Sequence, residues 1–545
     1  MSYVAAPADS LGGGLNLRDK VDAVPLSQAI DALNVEFTNS GAVKQRTGFA
    51  RFTKTTPSST APSSTATSIE PFYRTGSGST QMVVGAGDTL YAYTTAGAQV
   101  SSTGSLTANS VWDFARFGDP GNEYVYAGNG TDHMRRWDGT SWTSLSNTQS
   151  WYVGSSSSTT STTAAAPKAS ALCVTPSDNR LVAAGFTAGS NGPYGSTVNP
   201  SYVWFSDALY PERWRSTSFI QITPGDGEKI QAVIPWQNFV FIMKETKFAV
   251  YYGQSGDATP VFNYRMVETG VGLAAPRAYA ITPEGVYFMA RDGVYLTTGG
   301  EPEKVSNIIN PIWLGHESDF YTGGVLNHAQ ISKCAMTWVD QKLYLSFPAD
   351  TSTTNNRTLV YDTQLQWWSL YDFPAASLCS FRVSDYNELI FGSASGYSNH
   401  IMRHNLSYGV DDSGSASEQT INSHWRSGFF SFEQLSRIRG QKVWGAGKVN
   451  LGISADFERG EGILDLLNMQ DSASTSWGSS TWGGGEWSKP RAFQPVVRRR
   501  TSRGTAFSIT FRNNAKSQDW EVHRLQNHLA QSRRPSARQP EGTPQ

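Results

Sequence analysis

Paired carboxylates are the first feature of this chain that could support chemistry. The neighbouring acids Asp411 and Asp412, and the pair Glu458 and Glu461, are of the type that glycosidases use as acid and nucleophile. A glycosidase, however, needs its two carboxylates placed on opposite sides of a cleft, and closeness in sequence does not provide that separation. We interpret these residues as solvated turn carboxylates.

Other chemical motifs are incomplete. His400 and His404 have the i,i+4 spacing of two metal ligands, but no HExxH glutamate lies between them and their surroundings indicate strand and turn. We interpret this spacing as a surface coincidence. The run 445–448 (GAGK) lacks the spacing and the Ser/Thr of a phosphate-binding loop, and no GxSxG elbow occurs. The sequence therefore predicts a non-enzymatic protein with no catalytic residue, metal site or cofactor.

Composition indicates the elements that make up the fold. Only 16% of the 545 residues are charged, aromatic residues reach 12%, and Gly, Ser and Thr are abundant. Such a mixture is typical of short strands joined by small-residue turns, whereas long helix-forming stretches are almost absent. We predict a mainly β protein.

A repeated theme of short strands runs from about residue 69 to residue 410. In each repeat an apolar strand, a turn and a second strand ending in an aromatic residue follow one another, with a period of about 40–55 residues. This pattern predicts a β-propeller of about six or seven blades, with a β-sandwich as the competing architecture. Tryptophans close to the turns are expected to cover the seams between blades, namely Trp137, Trp142, Trp204, Trp214, Trp338, Trp367 and Trp368.

Changes in composition predict four segments. Residues 1–54 form an N-terminal arm and strand pair, 55–68 a Ser/Thr/Pro-rich linker, 69–410 the propeller, and 417–545 a smaller β-sandwich-like C-terminal domain with a basic tail. Two short helices are also predicted, at Leu26–Leu33 and at Trp520–Ala530.

Charge is unevenly distributed although the net charge is only −1. Between Lys489 and Arg538 twelve Lys/Arg face two Asp/Glu, a balance of +10, so the rest of the chain carries −11. The densest part of this stretch, Arg498, Arg499, Arg500 and Arg503, precedes a strand. Three interpretations stay open for it: docking to an acidic protein partner, protection of a strand edge, or contact with DNA phosphates.

The Trp/Gly-rich loop at residues 476–487 allows two interpretations, a glycan- or membrane-touching tip or aromatic packing at a subunit interface, and we favour the second. The three cysteines, Cys173, Cys334 and Cys379, are widely spaced and are expected to be buried free thiols. Neither a secretory signal nor an apolar run long enough to span a bilayer is found, so we expect synthesis in a cytoplasm.

Three segments carry a resemblance to a known class of proteins. The N-terminal one follows the pattern "GGLN … D … Q … NV-acidic-F … G … R-x-G-aromatic", and the others contain a WFSD run and two aromatic- or arginine-rich strands. In chain order, the matching residues are 13–16, 28–29, 33–37, 41–43, 46–49, then 204–207, 211 and 214, then 424–430 and 498–511. In these features the chain resembles tail nozzle (tail tubular) and packaged-DNA stabilisation proteins of tailed bacteriophages.

That resemblance implies a structural function. Such a protein would form a hexameric ring or tube below the portal and adaptor, contact tail fibres or other tail proteins, retain viral DNA and conduct it during ejection. It would be made in the host bacterial cytoplasm and reside in the virion tail. The same N-terminal pattern is also similar to that of minor tail proteins of long-tailed phages. A receptor- or glycan-binding tail tip is therefore the alternative, and a polysaccharide-degrading propeller enzyme is a third possibility.

Overall fold

The computed structural model consists almost entirely of β-strands. It describes residues 3–52, 61–76, 78–119, 122–146, 149–152, 161–187, 199–255, 261–315, 320–383, 386–397, 399–404, 409–413, 415–458, 465–469, 496–516 and 518–531. Seven sheets form a seven-bladed propeller, and one further sheet of nine strands forms a nearly closed, barrel-like second body. The predicted mainly β class and the propeller are confirmed.

The first three blades are consecutive in the chain. The first blade contains β6 (Ala66–Tyr73), β7 (Thr80–Ala86), β8 (Thr89–Thr94) and β9 (Gln99–Thr103). The second contains β10 (Asp113–Asp119), β11 (Asn122–Gly128), β12 (Arg135–Trp137) and β13 (Trp142–Ser144). The third has six strands in its sheet, β14 (Gln149–Tyr152), β15 (Ser161–Ala164), β16 (Ala171–Val174), β17 (Leu181–Ala184), β18 (Tyr202–Asp207) and β19 (Tyr210–Gln221).

Three more blades follow, each a sheet of four antiparallel strands. The fourth contains β20 (Ala232–Trp236), β21 (Phe239–Met243), β22 (Phe248–Ser255) and β23 (Val261–Val267). The fifth contains β24 (Tyr279–Ile281), β25 (Val286–Ala290), β26 (Gly293–Thr297) and β27 (Glu303–Lys304). The sixth contains β28 (Ala335–Val339), β29 (Lys342–Phe347), β30 (Arg357–Asp362) and β31 (Trp368–Tyr371). One short helix α1 (Pro311–Leu314) and the 3₁₀ turns Asn307–Ile309 and His328–Lys333 lie between the fifth and sixth blades.

The seventh blade combines the two ends of the propeller. Its first three strands are β32 (Ala375–Val383), β33 (Tyr386–Ser393) and β34 (Ile401–His404), and its outer strand is β5 (Phe49–Arg51). The predicted arm 1–54 thus contributes a strand to the propeller, and β6 begins at Ala66, inside the predicted linker 55–68.

The barrel-like sheet is built from both ends of the chain. Its strands are β1 (Tyr3–Ala8), β2 (Ala29–Leu33), β3 (Val35–Phe37), β4 (Val43–Gln45), β35 (Ser423–Ser427), β36 (Phe430–Ala455), β37 (Asp465–Met469), β38 (Val496–Asn513) and β39 (Trp520–Gln531). The long strand β36 pairs with β38 along both of its halves, within residues 430–443 and 450–455. One apolar core, which includes Leu15, Trp368 and Trp425, joins the barrel to the propeller.

Both helix predictions are wrong. The segment Leu26–Leu33 contains the strand β2, which pairs with β35 and is buried on both faces, so tertiary packing overrides its helical propensity. The segment Trp520–Ala530 lies in β39. A shift of register between Trp444 and Gly445 of the partner strand separates the buried residues Val522 and Leu525 by three positions instead of two. This bulge makes the apolar spacing of a strand imitate that of a helix.

Candidate functional site

The propeller ring is closed by the strand β5, which comes from the beginning of the chain. Its residues Phe49, Ala50 and Arg51 pair with His404, Arg403 and Met402 of β34. The seventh blade therefore joins strands from before and after the other six blades in one hydrogen-bonded sheet, which ties the two ends of the ring together. The residues around this closure therefore decide whether the propeller holds together.

Two ion-pair clusters fasten the closure, and we call Arg46, Arg51, Asp372, Asp411 and Asp412 the closure latch. Asp411 binds Arg46 with both oxygens, each at 2.7 Å from a guanidinium nitrogen, and Asp372 accepts a third bond at 2.7 Å. Arg51 forms the same two-bonded pair with Asp412, at 2.8 Å for each bond. Such bidentate pairs fix orientation as well as distance.

Arg46 also connects three parts of the molecule. Its Nε donates to Asn34 Oδ1 at 2.7 Å, and Asn34 Nδ2 in turn donates to the carbonyl of Asn422 at 2.7 Å, at the entry to the barrel. The guanidinium carbon lies 4.5 Å from the ring centre of Phe373. Hydrogen bonds from this one side chain therefore link the N-terminal segment to the end of the propeller and, through Asn34, to the barrel.

Because Arg46 is buried, its charge is stable only when carboxylates pair with it. The side chain of Arg46 has no exposed surface, and that burial lowers its pKa, but the charges of Asp411 and Asp372 more than offset the effect and raise it above the ordinary value. Arg46 therefore stays charged. Removing one partner from such a cluster would leave a buried charge uncompensated.

The residues next to Arg46 explain the rest of the R-x-G-aromatic pattern. A Cβ placed on Gly48 would lie 1.9 Å from the carbonyl oxygen of Val410, so only glycine allows this approach of the two segments. The ring of Phe49 packs edge-on against Phe373, Phe391 and Tyr397, with centroid distances of 5.4, 5.2 and 5.1 Å.

The acid pair Asp411 and Asp412 belongs to this latch, and His400 and His404 lie beside it, so the interpretation of these residues as solvated or surface groups is wrong. Asp411 and Asp412 are buried and ion-paired, not solvated. His400 is buried and its Nε2 lies 3.2 Å from Arg51 Nη1. His404 contacts the carbonyl of Gly48 through Nδ1 at 2.8 Å. Burial and the charge of Arg46 lower the pKa of His404 to about 3, so its ring is neutral.

Only one member of the second acid pair, Glu458 and Glu461, belongs to the described residues. Glu458 is exposed and its backbone carbonyl accepts a hydrogen bond from Arg426, whereas Glu461 lies outside the described residues. In the described ranges no group of three His, Cys, Asp or Glu could hold a metal ion. All three cysteines are buried free thiols, as predicted.

A central channel of about 400 Å³ is lined by the innermost strands of the seven blades, which are β6, β10, β16, β20, β24, β28 and β32. Asp113 accepts backbone hydrogen bonds from Leu172 at 2.7 Å and from Phe114 at 3.0 Å, and burial raises its pKa to about 7. Arg277 donates to the carbonyls of Thr67 and Ala376, in the first and seventh blades, and burial lowers its pKa to about 10. These polar groups link blades across the channel.

Of the seven tryptophans predicted to cover blade seams, four lie at or beside a seam of the first three blades and three lie elsewhere. Trp137 and Trp142 pack against each other at 5.1 Å beside the seam of the first and second blades. Trp204 and Trp214 are buried between the second and third blades. The other three lie elsewhere: Trp367 against Phe37 at 5.1 Å, Trp368 against Tyr361 at 4.5 Å, and Trp338 on the lining of the channel.

The predicted basic patch lies on β38. Arg503 is exposed and Arg498 is half-buried, donating to the carbonyl of Leu466 at 2.9 Å. The side chains of Arg499 and Arg500 lie outside the described part of the chain, as does the whole Trp-rich loop 476–487. Sequence reasoning missed the partners of this patch on the neighbouring strand, because Arg437 stands directly opposite Arg503 only through sheet pairing.

No helix in the part of the chain that the structure describes is both long and apolar enough to cross a bilayer.

No protein-family model matches the chain, and no curated protein matches it. Among solved structures, the chain is similar to BBS1N in two crystal structures of its complex with ARL6DN, soaked with lead or with mercury. The identities are 11% and 10% and the TM-scores 0.36 and 0.38, each match covering 66% of this chain and 98% of the other. The computationally designed Ika8 protein is similar at 12% identity over 72% of this chain and all of the designed one, with a TM-score of 0.31. At these low scores the likenesses carry no argument about function.

Proposed function

We propose that this protein is a non-enzymatic structural subunit of a bacteriophage tail, of the nozzle type. In this proposal it forms an oligomeric ring or tube, a hexamer, below the portal and adaptor and in contact with other tail proteins. The ring retains viral DNA and conducts it during ejection.

The observation that carries the proposal is the role of the N-terminal pattern in the structure. Asn34, Arg46, Gly48 and Phe49 belong to the pattern that resembles nozzle proteins, and all four meet at the closure latch. Their contacts join arm, propeller and barrel through buried charge pairs and aromatic packing. A conduit that transmits DNA under load needs subunits that resist deformation, and this joint supplies such resistance.

The size of the propeller channel restricts where DNA could pass. A cavity of about 400 Å³ is of the size that holds a small molecule, and polar contacts cross it. Under this proposal the DNA path therefore lies along the axis of the assembled ring, between subunits, and each propeller acts as a rigid wall element.

Negative-stain electron microscopy of the purified full-length protein tests the proposal. We expect rings with six-fold symmetry and an open centre. The variant Arg46→Leu, with a weakened closure latch, should give fewer and irregular rings, whereas Arg18→Leu, at an exposed ion pair, should give rings like the wild type.

Other results would contradict the proposal. A monomeric protein that adsorbs to host cells or binds a glycan array would favour a receptor-binding tail tip. Release of reducing sugars from a host polysaccharide, abolished by substitution of a carboxylate, would establish an enzyme.

A further inference from the structure

An exposed face of the barrel carries a concentration of positive charge on two paired strands. Arg437, Arg439 and Lys442 of β36 lie beside Arg498 and Arg503 of β38, and we call these five residues the basic strand pair. Three of them, Arg437, Arg439 and Arg503, are exposed, and the other two are half-buried.

The described residues contain no acidic partner for these cations, which repel one another. Arg437 stands directly opposite Arg503 in the sheet, an arrangement in which like charges destabilise a strand pair. Within the described residues none of the five forms an ion pair, unlike Arg46, Arg51, Arg136 or Arg215 elsewhere in the molecule. The face is thus arranged for a negative partner outside the subunit.

Protection of a sheet edge does not account for the whole face. Residues 496–504 of β38 pair only with β36 among the described strands, so charge on them could discourage unwanted pairing. Arg437 and Lys442, however, lie on a strand with neighbours on both sides, β38 and β39. An interior strand has no edge to protect, so its cations need another explanation.

A complementary surface exists on the propeller of the same chain. Glu284, Glu301 and Glu303 are exposed on the fifth blade, and in the described structure none of them forms an ion pair. Glu284 and Glu303 both act on Tyr287 and Tyr361, whose pKa values are raised chiefly by burial and further by these two acids. Those tyrosine rings meet across the boundary of the fifth and sixth blades, 6.3 Å apart, so Glu284 and Glu303 lie near this boundary, and Glu301 is two residues before Glu303 in the chain. We call the three acids the acidic blade seam.

We propose that the basic strand pair of one subunit docks on the acidic blade seam of a second copy of this chain. The inference rests on the proposed function, since it assigns the contact that would build the ring. Because the two surfaces differ, the contact is head-to-tail, the type that closes into rings or extends into filaments.

A second copy fits this face better than nucleic acid does. The five cations and the three acids lie on one chain, and among the residues that the structure describes none of the eight forms an ion pair. Strong binding to phosphate, by contrast, would slow a DNA that must slide through a conduit. A protein partner therefore agrees better with both the charges and the proposed function.

Charge reversal on each surface tests the proposal by mass photometry and analytical ultracentrifugation of the full chain. Wild-type protein should associate at low salt and dissociate as salt increases. The basic-face variant Arg437→Glu/Arg503→Glu and the acidic-face variant Glu301→Lys/Glu303→Lys should each associate at least ~100-fold more weakly, because like charges then meet at the contact. The control Lys20→Glu/Lys229→Glu makes the same change in net charge as the basic-face variant at exposed sites elsewhere, and should associate like the wild type.

Mixing the two variants gives the sharpest test. Each native face then meets a native partner and each reversed face meets a reversed partner, so an equimolar mixture should assemble although neither variant does so alone. Circular dichroism and thermal midpoints establish that both variants are folded. The milder Arg437→Gln/Arg503→Gln replaces the basic-face variant if that one does not fold.

Several outcomes would overturn the proposal. Association of either reversed variant at wild-type strength would do so, and so would failure of the mixture to assemble. A 30-base-pair DNA duplex that binds the wild type but not the basic-face variant, in a fluorescence anisotropy titration, would identify nucleic acid as the occupant instead. Rings unaffected by both variants would reject only this contact, whereas a wild type that stays monomeric under all conditions would reject the proposed function as well.

Discussion

The closure latch and the basic strand pair use the same residue type, arginine, in opposite ways. In the latch, Arg46 is fully buried and meets two carboxylates and an amide, so its charge is held in place by fixed partners within the chain. In the strand pair, Arg437 and Arg503 are exposed, face one another and have no acidic partner among the described residues. The difference indicates that the first region supports the fold, whereas the second is available for association.

Substitution of Arg46 should have the largest effect on stability. Arg46→Leu leaves the buried Asp411 and the partly exposed Asp372 without their cation, and we expect a loss of about 3–5 kcal/mol in the free energy of unfolding. Urea denaturation followed by tryptophan fluorescence measures it. The control Arg18→Leu removes an exposed ion pair and should cost about 1 kcal/mol or less. A loss below that control value for Arg46→Leu would contradict the role of the latch.

Substitution of Gly48 should come next. In Gly48→Ala the added methyl group meets the carbonyl of Val410, so the two segments must separate, at a cost of about 1–3 kcal/mol. Thermal unfolding by differential scanning calorimetry detects the change. Gly118→Ala, where no atom lies within 4 Å of the new Cβ, is the matched control and should change stability by less than about 0.5 kcal/mol. Equal effects of both substitutions would show that the close approach is unimportant.

The buried ring of His404, beside the closure latch, predicts that stability depends on pH. His404 has a pKa of about 3 in the folded protein, below the ordinary histidine value of about 6.5, so the unfolded chain binds more protons between these two values. Stability from this residue is therefore complete above pH 6.5 and is lost as pH falls, with a slope of up to about 1.4 kcal/mol per pH unit. Denaturation at pH 6.5 and pH 5 should differ more in wild type than in His404→Asn. The same difference in both proteins would contradict the prediction.

Neutralising the basic strand pair should have the smallest effect on the isolated subunit. We expect Arg437→Ala and Arg503→Ala each to change the free energy of unfolding by about 0.5 kcal/mol or less, in the stabilising direction, because repulsion across the strands is relieved. The same urea experiment measures this. A loss above about 1 kcal/mol in either variant would mean that these arginines support the fold, and the contrast with the latch would fail.

Local patterns in the sequence were sufficient for part of this fold. The alternation in Asn34–Thr38 and Ala42–Arg46 around a turn at residues 39–41 predicted a strand pair, and the structure pairs Val35–Phe37 with Val43–Gln45. Repeats of strand, turn and aromatic residue predicted a propeller, because each blade is a unit of consecutive strands whose apolar periodicity is local. The strand β39 was mistaken for a helix because its bulge is set by the partner strand, which local periodicity does not contain.

The candidate site was largely beyond sequence reasoning. Arg46 and Asp411 are 365 residues apart, and the pair forms only because the first and last strands of the propeller share a blade. The acids were therefore interpreted as solvated. Likewise, Arg498 and Arg503 are visible as a basic run, but their like-charged neighbour Arg437 adjoins them only through sheet pairing.

By itself, the sequence determined the mainly β class, the repeated strand units, three buried free thiols and the presence of an arginine-rich strand, because composition and short-range periodicity act locally. Only the tertiary structure decided that there are seven blades, that the first segment closes the last blade, and which charges are buried and paired. The physical reason is that the dielectric environment and the partners of a charge are set by chain segments hundreds of residues away.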